Sequence, residues 1–98
     1  MIRILIFGKN ECARCKATKH KVTHIVSTLE PGQVEMLFHD QEDPDGRAEG
    51  AFYDVNPGKL PLTVMEKDGR EAARWEGDVP DSQALRLLLE EVAHVAVH

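Results

Sequence analysis

The run Ile2-Arg3-Ile4-Leu5-Ile6-Phe7-Gly8-Lys9-Asn10-Glu11-Cys12-Ala13-Arg14-Cys15 decides how this chain folds. Ile2 to Phe7 is apolar and β-branched apart from Arg3, has the length of a buried strand, and is ended by Gly8. Asn10 or Glu11 opens a helix. From Cys15 onward the less polar positions are Thr18, Val22, Ile25, Val26 and Leu29, steps of three and four that mark one helix face. Lys16, Lys19, His20 and Lys21 occupy the opposite face, and Pro31-Gly32 stops the helix. Cys12 and Cys15 therefore lie where a buried strand turns into a helix.

Beyond this unit, Val34 to His39 reads as a second strand, with Val34, Met36 and Phe38 alternating against Glu35, Leu37 and His39. Asp40 to Gly46 is an acidic loop. Asp43-Pro44 starts a second helix, proline being tolerated in a first turn. The stretch Asp45 to Val55 groups Ala48, Ala51, Phe52 and Val55 on one side, which places Phe52 in the core and Tyr53 on the surface. Asn56-Pro57-Gly58 ends that helix. Leu60-Pro61 introduces a third strand, Leu62 to Glu66; Lys67-Asp68-Gly69-Arg70 turns the chain, and Glu71 to Glu76 returns as a fourth strand in which Trp75 packs. Gly77 breaks this strand. Asp78 is expected to cap a last helix, with Pro80 in its first turn, Asp81 favourable to its dipole, and an apolar face of Ala84, Leu85, Leu88, Leu89 and Val92. His94 and His98 fall in a tail expected to fray.

The element order is βαβαββα. Its first strand–helix–strand unit crosses over right-handed and yields parallel strands, and the hairpin adds antiparallel ones. The expectation is an α/β fold, a four-stranded mixed sheet flanked by three helices, with residues 1–98 forming a single domain.

Composition narrows the function classes. No apolar run approaches the roughly 18–20 residues that span a bilayer. The N-terminal apolar run is too short, and its flanks wrong, for a signal peptide, so a cytoplasmic location and no membrane partner are expected. The net charge of −5 argues against nucleic acid as a partner. That charge is unevenly spread. Residues 1–29 hold Arg3, Lys9, Arg14, Lys16, Lys19 and Lys21 against Glu11, a balance of +5, whereas residues 30–98 carry −10. A basic patch surrounds the two cysteines on an acidic body.

Two cysteines cannot build the multi-disulfide frame of a small secreted domain, nor close a four-ligand zinc site alone. A redox dithiol, half of a shared metal site, or a pair without a role remain. At a strand–helix junction, unpaired backbone N–H groups and the helix dipole favour thiolate over thiol, and the thiolate is the nucleophile. The spacing of three lets the second sulfur reach the first within one turn. Cys12 is expected to attack a substrate disulfide and form a mixed disulfide. Cys15, which begins the apolar face and is therefore shielded, then attacks Cys12 and releases the substrate. Lys9, Arg14 and Lys16 favour the Cys12 thiolate, and Glu11 opposes it. His20 and His24 have a metal-capable spacing, but they follow the cysteines on one helix with no loop to close a tetrahedron, so no metal is expected. Reading the acidic loop as a calcium loop, with Gly46 sixth, puts Gln41 first and Phe52 twelfth, without the bidentate acid.

With Cys12-Ala13-Arg14-Cys15 after the first strand and Leu60-Pro61 before the third, nearly the whole chain resembles the thioredoxin fold, and within it the thioredoxin and glutaredoxin families. The resemblance implies a cis peptide at Pro61, lying against the cysteine pair, and a backbone at Leu60 that receives an extended substrate segment. Thioredoxins carry Trp-Cys-Gly-Pro-Cys and a buried aspartate six residues before the first cysteine; here Glu11 precedes Cys12 and that position is Ile6. Glutaredoxins lack the aspartate too, and Lys9 matches their lysine three residues before the first cysteine. Where they carry Gly-Gly and acidic residues for the γ-glutamyl end of glutathione, this chain has Gly77-Asp78 preceded by Glu76. The second carboxylate opposes an anionic tripeptide, so glutathione is disfavoured and protein disulfides are favoured. What the resemblance implies is a glutaredoxin-like thiol–disulfide oxidoreductase, and a monomer is expected. Its electrons come from an external reductase or dithiol, and it holds no cofactor beyond the redox-active Cys12–Cys15 disulfide. The alternative class is a metal or iron–sulfur module in which two chains each contribute Cys12 and Cys15.

Overall fold

A computed structural model of the protein describes residues 1–93, with side-chain surroundings as far as residue 91. The elements run β1 (Ile2–Gly8), α1 (Ala13–Ser27), β2 (Val34–Asp40), α2 (Pro44–Phe52), β3 (Leu62–Lys67), β4 (Arg70–Glu76) and α3 (Ser82–Ala93). The sheet order is β2-β1-β3-β4. β1 pairs parallel with β2, Ile4 opposite Met36, and antiparallel with β3, Ile4 opposite Met65. The expected βαβαββα order and mixed four-stranded sheet are present, with ends displaced by a few residues. His94 and His98 lie outside the described residues, as does the side chain of Val92.

Period-two alternation in β1 gives the sheet two cores. Ile2, Ile4 and Ile6 face α1 and α3, where they pack with Val22, Ile25, Met65, Leu85 and Leu89. Leu5 and Phe7 face the other way, against Leu62, Val64, Tyr53 and Val55. Because both faces are covered, β1 reads as a continuous apolar run. Each fully buried isoleucine contributes on the order of 2 kcal/mol through its removal from water. Trp75 packs at the border of the first core, as expected. The hairpin turns through Asp68 and Gly69, both at positive φ (52° and 81°), the conformation of a two-residue type I′ turn. A bulge between Met65 and Glu66 shifts the β3–β4 register.

Two expectations are corrected. Of the apolar stripe read over α2, only Val55, beyond the helix end, packs on the core: Phe52 is 83% exposed and Ala48 and Ala51 are exposed, while Gly46 and Gly50 are buried. The helix approaches the chain so closely that a methyl group on Gly46 would overlap the Asp40 carbonyl, and one on Gly50 would press on the Gln41 side chain. Close backbone approach, not side-chain burial, sets which face turns inward. Tyr53, expected at the surface, is the aromatic that enters the core, 5.2 Å from the Phe7 ring. The second correction concerns α3. Its cap is Asp81, whose carboxylate accepts from the Ala84 N–H at 3.0 Å, and Asp78 lies upstream of the helix and is exposed.

Tyr53 also belongs to a half-buried polar cluster around the buried Glu66 that the pattern of the chain does not announce. Glu66, 5% exposed on β3, accepts hydrogen bonds from the Tyr53 hydroxyl and from the Arg3 guanidinium, the latter at 2.8 Å. Burial pushes the Glu66 carboxyl up, but the bonds from Tyr53 and Arg3 outweigh it and hold the group below its ordinary value. Burial and the same carboxylate push the Tyr53 phenol up to about 12.

Three variants probe these contacts. Gly46→Ala is expected to destabilise the fold by about 2–3 kcal/mol in denaturant titrations, since the overlap is with backbone that cannot swing aside. For Glu66, a depressed carboxyl means that the unfolded chain binds the proton first as pH falls. Its stabilisation is full above the unfolded value of about 4.3 and is lost as pH drops through the lower folded value. Glu66→Gln and Tyr53→Phe are therefore expected to lower stability at neutral pH by about 1–3 kcal/mol and to flatten the acid limb of a stability–pH curve.

Candidate active site

Both cysteines are free thiols at the start of α1. Cys12 is the N-cap: its backbone is extended (φ −95°, ψ 118°) and its sulfur accepts the Cys15 N–H at 3.2 Å. A cysteine thus fills the place usually taken by serine or aspartate, and one orphan donor of the first turn is satisfied by sulfur. The helix begins at Ala13, slightly later than the residues before Cys12 suggest. Cys12 is half-buried, whereas Cys15 is 1% exposed and begins the buried stripe that continues at Thr18, Val22 and Ile25.

The two thiols have opposite electrostatic surroundings. Burial pushes the Cys12 thiol up. The Cys15 thiol, the backbone N–H groups of Cys15 and Arg14, and the Arg14 charge oppose this and leave Cys12 below its ordinary value. Burial pushes Cys15 up, donation to Cys12 adds to it, and together they raise Cys15 to about 11. One thiol is set to ionise and the other to hold its proton.

Gly8 has a function beyond ending β1. A Cβ built there would lie 2.8 Å from the Cys15 sulfur, so the absence of a side chain is what lets Cys15 seat against the strand. The position read as strand punctuation is therefore also part of the thiol site. The signal was a glycine seven residues before the second cysteine, and nothing local distinguishes that from a simple strand end.

Leu60–Pro61 is a cis peptide, as the resemblance implies. Pro61 is buried and Leu60 half-buried. The Gly77 N–H donates to the Pro61 carbonyl at 2.9 Å, and the Gly77 carbonyl accepts from the Arg14 guanidinium at 2.9 Å. Arg14, Gly77 and Pro61 are thereby joined in one hydrogen-bonded path from the first turn of α1 to the cis-proline loop. Lys9 is exposed in the preceding loop, where its carbonyl accepts the Cys12 N–H at 3.4 Å. Asp78 is exposed beside Gly77, and the neighbouring Glu76 pairs with Lys59 at 3.5 Å. Ile6 is fully buried, so this strand position offers no acid beneath the thiols. His20 and His24 are exposed on α1. Among the described residues, no group of three or more histidine, cysteine or acidic side chains comes together as a metal site. None of their helices is long and apolar enough to cross a membrane.

No protein-family model matches the chain, and no curated protein sequence does. Solved structures do. A mutant thioredoxin from Halobacterium salinarum superposes with a TM-score of 0.76 at 20% identity, covering 97% of this chain and 77% of that one. Oxidised thioredoxin O2 from Arabidopsis thaliana gives 0.76 at 15% identity, with coverage of 95% and 76%. Reduced desulfothioredoxin from Desulfovibrio vulgaris Hildenborough gives 0.69 at 22%, with coverage of 92% and 80%. Together with the cis-proline loop and the cysteine-capped helix after the first strand, these superpositions assign the chain the thioredoxin fold.

Proposed function

We infer that this protein is a thiol–disulfide oxidoreductase that reduces protein disulfides. The observation that carries this reading is the asymmetry of the thiols: a half-buried Cys12 held below its ordinary pKa, and a fully buried Cys15 raised to about 11, joined through one helix turn. In the reaction, the Cys12 thiolate attacks one sulfur of a substrate disulfide. The substrate S–S bond breaks, a mixed disulfide forms, and the first substrate sulfur leaves as a thiolate that takes a proton from water. Cys15 then loses its proton and attacks the Cys12 sulfur. The mixed disulfide breaks, and the second substrate thiol leaves with a proton. Two electrons have passed to the substrate, and the Cys12–Cys15 disulfide awaits an external reductase or dithiol.

Within this class the chain fits a glutaredoxin-like type. Ile6 and Lys9 support that placement, while Glu76 and Asp78 on either side of Gly77 disfavour an anionic tripeptide and favour protein substrates. Leu60, next to the cis proline, offers its backbone to an extended substrate segment in this reading. The reading extends to a cytoplasmic, monomeric protein with no cofactor other than its own disulfide.

Two experiments test it. The reduced protein is expected to reduce insulin disulfides, Cys12→Ser to be inert, and Cys15→Ser to accumulate a mixed disulfide on Cys12 that reductant releases. Wild type as inert as Cys12→Ser, with each dithiol and reductase donor supplied, would sink the proposal. In ultraviolet thiolate titrations the first proton is expected to leave below the free-cysteine value of about 8.5 and the second near 11. Cys15→Ala removes the thiol donor to Cys12 and is expected to move the first step upward. A single step at the ordinary value would contradict the asymmetry.

A further inference from the structure

A groove of about 850 Å³ runs along the outer flank of α1, away from the cis-proline loop. Phe38 of β2 contributes its large apolar side chain, and Cys15 lines it together with Lys9, Asn10 and Glu11 of the loop before α1. Its rim carries Lys9, Lys16, Lys19, His20 and His24, with Glu11 as the one acidic side chain. All six rim residues are exposed. The ion pairs formed among the described residues use the terminal amine, Arg3, Lys59 and Arg74, so none of the three groove lysines has a carboxylate partner there. Lys19 instead lies over the Phe38 ring, its Nζ 4.7 Å from the centroid. β2 is an outer strand of the sheet, so among the described residues no further strand covers Phe38 from the side.

We propose that this groove binds an acidic, extended peptide segment of a protein partner, seated along α1 with an apolar side chain over Phe38. The proposal rests on the oxidoreductase reading for its biological sense, since the groove reaches the loop just before Cys12 and a segment held there brings its parent protein beside the thiols. Three observations select the occupant. The first is charge: an anionic ligand neutralises unpaired lysines on a chain whose other surface is acidic. The second is length. From Cys15 to Ser27 the lining spans 12 helical steps, about 18 Å at 1.5 Å per residue, which an extended segment of about six residues fills at roughly 3.3 Å each. A small anion would occupy only a fraction of it. The third is the boundary. Beyond Phe38 the surface changes sign, with Asp40, Asp43, Asp45 and Glu49 lining a separate hollow of about 480 Å³, so an acidic segment is confined to the α1 side. A second copy of this chain fits less well. Pairing two outer β2 strands antiparallel in one continuous sheet would set two cationic α1 flanks beside each other.

The test uses the reduced, isotope-labelled protein and a capped peptide of about six residues alternating glutamate with valine. Amide shifts are expected in residues 16–27 and at Phe38. Binding is expected to weaken with added salt and to fall about tenfold in Lys19→Glu/Thr23→Glu, which places two carboxylates on an exposed flank without touching the thiols. Cys12→Ser/Cys15→Ser is expected to bind the peptide as wild type does. Lys19→Glu/Thr23→Glu is expected to reduce the neutral bis(2-hydroxyethyl) disulfide at the wild-type rate. Equal binding of a lysine–valine peptide, shifts confined to Leu60 and Gly77, unchanged affinity in the variant, or displacement of the peptide by a short single-stranded oligonucleotide at equal concentration would each overturn the proposal. Loss of disulfide reduction by wild type itself, with peptide binding intact, would strike the oxidoreductase reading and leave the groove standing.

Discussion

The N–H of Cys15 donating to the sulfur of Cys12 is the constraint around which the site is arranged. It caps α1, so the helix starts where the nucleophile sits. It also places partial positive charge at that sulfur, so capping and thiolate stabilisation are one contact rather than two. The bond requires the chain to leave β1 and enter α1 within a few residues. β1 in turn is held rigidly because it lies between β2 and β3 and is packed on both faces. The buried isoleucines therefore serve the chemistry indirectly, by fixing the platform from which the loop departs.

What could be read in advance follows from where the physics is local. A two-sided apolar strand, a stripe at steps of three and four, and a Cys-x-x-Cys at their junction are properties of short windows, and β1, α1 and the dithiol were legible from them. The cis-proline position was legible by likeness rather than by spacing. The inward face of α2 is not legible from its apolar side chains, because the packing is decided by the space that Gly46 and Gly50 leave for Asp40 and Gln41. The cap of α3 was misplaced by three residues because Asp78 and Asp81 both precede the helix, and only the backbone path chooses between them. The Arg3–Glu66–Tyr53 cluster was not foreseen because its members lie far apart in the chain, with Arg3 and Glu66 63 residues apart. Gly8 announces the end of β1 locally, but the room it leaves for the Cys15 sulfur depends on a contact seven residues away.

The second core and the polar cluster also explain how a small sheet tolerates a buried carboxylate. Glu66 lies at the bulge in β3, where the register with β4 shifts. Its oxygens are shared between an aromatic hydroxyl and a guanidinium, which gives each a protein hydrogen-bond partner. An arginine in the otherwise apolar β1, anomalous in a hydrophobicity profile, is the matching half of that arrangement.

The bond from Arg14 to the Gly77 carbonyl has a wider consequence. The same side chain that biases the nucleophile's ionisation also braces the loop that follows β4 and, through Gly77, the cis-proline carbonyl. Reactivity and loop posture are mechanically geared to each other here. Drift at position 14 shifts both settings together, and an engineer seeking to alter one must replace the brace before removing the charge.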